Sequence, residues 1–324
     1  MTGTFMIKHI LSLSFILIST GSVAADTAQT ASNTVDSFEK IFGVTEGKRR
    51  NHTKGFCFEG EFVPNSTAMQ PYTNSALFLK EADVIGRLSH KGGNNNAADN
   101  KPADYGMGLL INTAAGPHNI SMNTLDFFPV ATPEAFAKLM MAKTQGSAAV
   151  KAFKDSNLDL QRFSAHKANK KKELTPYEGS TFNSINSFYL VDKKGKKTAI
   201  RWSFIPSKKQ SIVLKPTADF FYENMQDNLN NHGISWDMVI TLANPNDAVN
   251  DASIQWVGEH KQLTAGTLNV LSLSSEQDGR CDNINYDPLV LSPGVLPSED
   301  PLLQARRNSY AISFGKRVLE KGAK

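Results

Sequence analysis

Near the carboxyl end of the chain, Arg306, Tyr310 and Arg317 are spaced i, i+4 and i+11. At about 3.6 residues per turn these positions fall on one stripe of a helix. The stripe carries a phenol flanked by two guanidinium groups. A guanidinium one turn from a phenol favours the phenolate by charge and by hydrogen bond. A phenolate oxygen is a hard anionic ligand for Fe(III), and tyrosine serves as an axial ligand of haem iron. The same spacing also suits an ordinary solvated helix face. Nearer the amino end, Arg49-x-x-His52-x-Lys54-Gly55 sets an imidazole at the start of a strand-patterned segment. It is a candidate acid–base group there, although a lone histidine serves equally as a structural residue. Gly86-Arg87-Leu88-Ser89 places a guanidinium in an otherwise apolar strand, and Met122-Asn123-Thr124 precedes Phe127-Phe128.

The elements that must hold these groups follow from pattern. Asp300-Pro301 reads as N-cap and first turn of the helix carrying Tyr310. His52 to Val63 alternates as a strand, with Phe56, Phe58 and Phe62 on one face. Further strands are expected over 82–89 and 105–112, separated by the polar loop 92–102. A short amphipathic helix is expected over 35–42. Thr132-Pro133-Glu134 opens helical structure that runs, broken by turns, to about Asn169, and Lys170-Lys-Lys172 follows as a solvated connector. Segments 184–191 and 198–205 form a hairpin around Asp192-Lys-Lys-Gly195. Helix 217–232 stops at Gly233, and strands follow over 236–242 and 267–273. Many strands joined by hairpins and long loops, with helices between and after them, predict an α+β fold on an antiparallel sheet or barrel.

Composition narrows the function classes. The chain has 324 residues, enough for one large domain, with 40% hydrophobic and 20% charged residues. A net charge of +4 is too mild to demand nucleic acid or an anionic membrane as partner. Lys8, an apolar stretch over 10–18 and small residues ending at Ala24-Ala25 form a secretory signal, too short to span a bilayer. Residues 1–25 are therefore read as a leader and 26–324 as one exported domain, periplasmic if the source is Gram-negative. The two cysteines, Cys57 and Cys281, form either a disulfide or two separate thiols.

Taken together and in this order, the motifs resemble the catalase superfamily. The clearest stretch runs from Asn285-Tyr-Asp-Pro through Ser292-Pro-Gly, Pro297-Ser-Glu-Asp-Pro and Leu303-Gln-Ala-Arg306 to Tyr310. Arg49-x-x-His52-x-Lys54-Gly55 resembles the distal-histidine motif, and Gly86-Arg87-Leu88-Ser89 the strand after it. A secretory start, a short chain and a chain end soon after the proximal tyrosine look most like the small bacterial catalase-related peroxidases. The resemblance implies a β-barrel surrounded by helices, binding haem b. Tyr310 would be the proximal iron ligand and Arg306 would hold its phenolate. His52 would be the distal acid/base, Arg49, Arg87 and Arg317 the partners of the haem propionates, and Phe136 an aromatic beside the haem.

Two departures accompany the match. Alignment from Phe127-Phe128 puts the distal amide position on Met122, whereas alignment from Thr132-Pro133 puts it on Asn123, the assignment favoured here. Asn51 stands where an apolar residue usually precedes the distal histidine, which predicts a wetter pocket. The implied activity is reduction of hydrogen peroxide or organic hydroperoxides by an electron donor that the sequence does not name, with weak catalase turnover, in a monomer or small homo-oligomer. The alternatives are a haem enzyme of the same fold that rearranges lipid hydroperoxides, and a non-enzymatic exported barrel that binds an apolar ligand.

Overall fold

The computed structural model describes residues 20–171 and 173–323. Its strands are β1 (Gly55–Pro64), β2 (Ala82–His90), β3 (Tyr105–Thr113), β4 (Gly116–Asn123), β5 (Phe182–Asn183), β6 (Phe188–Val191), β7 (Lys197–Pro206), β8 (Ser235–Leu242), β9 (Gln262–Ser274) and β10 (Val295–Pro297). Its helices are α1 (Thr20–Phe42), α2 (Ser66–Met69), α3 (Pro133–Gln145), α4 (Ser147–Asp155), α5 (Leu158–Asn169), α6 (Phe221–His232) and α7 (Pro301–Gly322). The ring β1-β2-β3-β4-β5-β7-β8-β9 closes on itself as an eight-stranded antiparallel barrel, with β6 and β10 extending from β7. Closure pairs every strand of the ring on both sides and leaves it without an exposed edge. The expected α+β barrel with surrounding helices is thus observed. Phe58, Phe62, Leu109, Ile120, Trp236 and Met238 fill its interior, each fully buried.

Where the structure departs from the pattern, a local cause is visible. The strand expected from His52 starts only at Gly55, because His52 adopts a left-handed backbone (φ 59°) that turns the chain. The helix expected from Thr217 starts at Phe221, where Asp99 Oδ2 accepts the N–H groups of Phe220 and Phe221 at 2.8 and 2.9 Å. Asp99 lies in the polar loop 92–102, so that loop is tied down by a cap. Strand β4 was not anticipated. Its sequence, Gly-Pro-His-Asn-Ile-Ser-Met-Asn, is poor in β-branched residues, yet it pairs with β3 along its whole length. Of the leader expected over 1–25, residues 1–19 lie outside the described residues, and α1 is longer than the helix expected over 35–42.

Helix α7 begins as the sequence indicates, with Asp300 accepting the Leu302 N–H at 2.9 Å. Lys316 on α7 pairs with Asp36 and Glu39 on α1, both at 2.9 Å. Arg50 bridges Glu39 of α1 at 2.7 Å and Glu320 of α7. These ion pairs hold α1 and α7 together, and between them and the outer face of β2-β3-β4 lies a cleft.

Candidate active site

The cleft is partly open to solvent, with about 180 Å³ of free space between its walls. One wall is sheet and the other is helix.

On the sheet wall, register decides which side chains face the cleft. Ser89, Gly106 and Asn123 lie opposite one another across β2, β3 and β4, and so do Arg87, Gly108 and Ser121. The intervening row, Leu88, Met107 and Met122, belongs to the barrel core. Strand side chains alternate between faces, so cross-strand partners share one. The His52 imidazole rests on Gly106, where an added Cβ would fall 2.6 Å from the ring. Asn123 therefore shares the face that carries His52, while Met122, though it borders the cleft, packs with the barrel interior. The sulfur side chain at 122 and the amide at 123 are separated by the pleat.

His52 sits in strained left-handed backbone, of the kind that clusters at functional sites. Asn51 holds that turn. Its Oδ1 accepts the His52 N–H at 3.0 Å and the Gly92 N–H at 2.9 Å. The side-chain carbonyl of this residue is thus committed to the backbone, while Asn51 also lines the cleft. Ser89 Oγ donates to the Gly106 carbonyl at 3.3 Å, so the contact with His52 Nδ1 at 3.1 Å runs from Nδ1–H to Oγ. That tautomer leaves Nε2 as the basic nitrogen. Burial, with like charge from Arg87, Lys91, Arg306 and Arg49, pushes the His52 pKa down to about 3. The ring is therefore neutral at ordinary pH and able to accept a proton.

On the helix wall, Arg306 Nη2 donates to the Tyr310 hydroxyl at 2.7 Å, the contact that the i, i+4 spacing anticipates. Arg306 is itself fixed. Its Nη1 donates to Asn186 Oδ1 at 3.0 Å, and Asn186 Nδ2 donates to Asp300 at 2.9 Å. The carboxylate that caps α7 is thereby linked, through an amide and a guanidinium, to the phenol three turns along. Nothing in the sequence singled out Asn186, because its partners come from residues more than a hundred positions away.

Arg49, Arg87 and Arg317 converge at one end of the cleft. All three already have protein partners. Arg87 Nε and Arg49 Nη1 donate to Glu276 at 2.6 and 2.5 Å, and Arg317 reaches Asp282 at 3.4 Å. Glu276 and Asp282 were missed, since a polar stretch such as Ser275-Glu-Gln-Asp-Gly279 reads simply as a turn. Phe136 stands one layer back from the cleft. Its ring packs on Phe38, at 6.3 Å between centroids, and on Phe128, at 5.0 Å, and it is Phe38 with Val35 of α1 that lines the space. The neighbouring Cys57 and Cys281 form a disulfide, with 5.5 Å between their Cα atoms.

This arrangement fits a haem. A hard oxygen donor with a cationic neighbour stands on one wall and a neutral imidazole on the other. Apolar Val35, Phe38 and Phe314 would supply surface for a porphyrin ring, and the three guanidinium groups could hold its carboxylates. No group of three or more His, Cys, Asp or Glu suited to a metal ion occurs among the described residues.

Known proteins resemble the chain along most of its length. A family profile described as Catalase matches residues 44–320. A "Catalase-related peroxidase" of Synechococcus elongatus is 31% identical over 308 residues, covering 91% of this chain and 90% of its own. A second, from Mycolicibacterium paratuberculosis, is 23% identical and covers 91% of this chain and 97% of its own. Among solved structures, catalase A of Saccharomyces cerevisiae superposes with a TM-score of 0.73 at 16% identity, over 98% of this chain and 68% of that one. A bacterial catalase gives the same TM-score at 18% identity, and the chain spans 58% of its length.

Proposed function

The chain belongs to the catalase family, and we propose that within it this protein is a haem b-dependent peroxidase, reducing hydrogen peroxide or an organic hydroperoxide with electrons from an external donor. The observation that carries the reading is the pairing of a neutral, Ser89-oriented His52 with an Arg306-bound Tyr310 across one cleft. Haem bound there would supply the redox chemistry that reduces the O–O bond, and the donor would restore it.

The residues of the chain have separable tasks. Tyr310 offers the iron ligand, and Arg306 holds that oxygen in place. His52 Nε2 would accept a proton from one peroxide oxygen and return it to the other, so that water or an alcohol departs in place of hydroxide or alkoxide. Asn123, on the same face, offers an amide to the peroxide. Arg49, Arg87 and Arg317 take the propionates, and α1 closes the cleft from the side. An export route is supported by the leader pattern and by the buried disulfide, which suits an oxidising compartment. No helix among the described residues is long and apolar enough to cross a membrane.

The test follows donor oxidation and oxygen release together, with haem-loaded protein, a peroxide and an aromatic one-electron donor. Peroxide consumption that scales with donor, with little oxygen, is the expected result. One oxygen for every two peroxides regardless of donor would make the protein a catalase instead. Isomerisation of a lipid hydroperoxide without donor oxidation would establish the rearrangement reading.

A further inference from the structure

Glu276 occupies an unusual position. It follows β9, does not line the cleft, and stands behind the two arginines that do. The residue is 4% exposed, yet its carboxylate meets three cations. Oε1 accepts from Arg49 at 2.5 Å and Arg87 at 2.6 Å, and Oε2 from Lys48 at 2.9 Å. Those cations overcome the cost of burial and hold its pKa down at about 2. The neighbouring segment supplies most of the remaining anchors. Arg49 Nη2 donates to the carbonyls of Cys281 and Ile284 at 2.9 and 3.0 Å, and Arg317 Nη2 to Ile284 at 3.3 Å. Arg87 has one further contact, to the Thr53 carbonyl at 3.1 Å.

Residues 276–284 thus fix two guanidinium planes and share in fixing a third. The segment is fastened covalently by Cys281 to Cys57, and Cys57 lies directly opposite Arg87 in the β1–β2 register. Gly279 packs flush on that bridge, where a Cβ would come within 2.4 Å of Cys57 Sγ. A guanidinium has five N–H donors. The described contacts commit three from Arg49 and two from Arg87, which leaves donors on both for a ligand in the cleft.

We propose that Glu276, on a segment pinned by the Cys57–Cys281 disulfide, is a positioning residue that holds the forks of Arg49 and Arg87 for the carboxylates of the porphyrin. The inference rests on the haem reading above. Without Glu276 two buried cations would face each other unscreened and turn away. Retention of the cofactor then depends on the bridge, and so on passage through an oxidising compartment.

The experiment is an equilibrium titration of the apo-protein with protohaem and, separately, with its dimethyl ester, whose carboxylates are masked. Tryptophan quenching reports binding, and circular dichroism checks that each variant is folded. Glu276→Gln and the double variant Cys57→Ser/Cys281→Ser should weaken protohaem binding at least about tenfold, as expected for lost charge-assisted hydrogen bonds. Both should bind the ester as the unaltered protein does, and Glu276→Asp should recover part of the protohaem affinity. Protohaem binding by Glu276→Gln that is unchanged or tighter would overturn the inference, because Glu276 would then compete with the propionates. Equal loss for both porphyrins would overturn it too, as a general structural defect. An unaltered protein that binds neither porphyrin would sink the haem reading itself, and the inference with it.

Discussion

The helix wall and the sheet wall of the cleft specify one site in two ways. On α7, Arg306, Tyr310 and Arg317 come from a single stretch, so the period of the helix alone aligns them. On the sheet wall, His52, Ser89, Gly106 and Asn123 come from separate segments and meet only through the pairing of β2, β3 and β4. A register slip of one residue there would exchange Asn123 for Met122 and turn the whole row inward. Chemistry on a helix is therefore set locally, whereas chemistry on a sheet is set by distant hydrogen bonds. The two walls should also fail differently: the helix wall through loss of the cofactor, the sheet wall through loss of rate.

The largest effect is expected on the helix wall. Tyr310→Phe should lose most haem and abolish peroxide reduction, as read by the absorbance of protein purified with haem supplied. Full haem content with an unaltered spectrum would move the ligand off α7. On the sheet wall, His52→Ala should keep its haem and slow peroxide consumption roughly 10²–10⁴-fold, the usual contribution of a general acid–base group. Rapid mixing with peroxide measures this, and an unchanged rate would mean that another group moves the proton. Because burial and nearby cations hold His52 neutral down to about pH 3, the rate in the unaltered protein should show no step near pH 6.5.

A smaller effect separates the two faces of β4. Asn123→Ala should slow peroxide reduction by roughly tenfold or less, the scale of one hydrogen bond, with little change in melting temperature. Met122→Ala should instead cost about 2–5 kcal/mol of stability through a core cavity, while the folded, haem-loaded enzyme keeps its rate. The reverse pattern would place Met122 at the distal position.

That choice marks the limit of what the sequence discloses. The Arg306–Tyr310 contact and the Asp300 cap were legible because both are local. The barrel was legible as class, since Phe56, Phe58 and Phe62 of β1 and Trp236, Met238 and Ile240 of β8 alternate with polar or smaller neighbours. Strand β4 was not, because Gly-Pro-His-Asn-Ile-Ser-Met-Asn owes its conformation to β3 rather than to propensity. Without β4 there is no register to separate the two faces, and only the spacing from Thr132-Pro133 favours Asn123 over Met122. Glu276 was invisible for a related reason: a glutamate in a polar turn looks solvated until the fold brings Arg49 and Arg87 against it.

The barrel interior offers the mildest test, because it contains a histidine with no part in the site. His118 lies on the core face of β4 and is fully buried. Its Nδ1 accepts the Ser292 N–H at 3.1 Å, so a proton at Nδ1 would break that bond. Burial pushes its pKa down to about 3, against 6.5 for the free side chain. The unfolded chain takes up this proton below about pH 6.5 and the folded one does not. Stability from His118 is therefore complete above pH 6.5 and declines as pH falls toward 3, by up to about 1.4 kcal/mol per pH unit. His52 adds a similar slope, whereas the stability from Glu276, held at about 2, is complete above its ordinary value of 4.5 and is lost only as pH falls from there toward 2. Urea unfolding of the apo-protein in steps between about pH 6.5 and 5 follows this slope, against which the buried Glu178 and Asp300, whose pKa values burial raises, act with opposite sign. His118→Gln should flatten the slope relative to the unaltered protein and leave haem binding intact, since the residue faces away from the cleft. A slope identical to that of the unaltered protein would show that the barrel interior admits the proton after all, and that β4 is less firmly paired than the wall it forms.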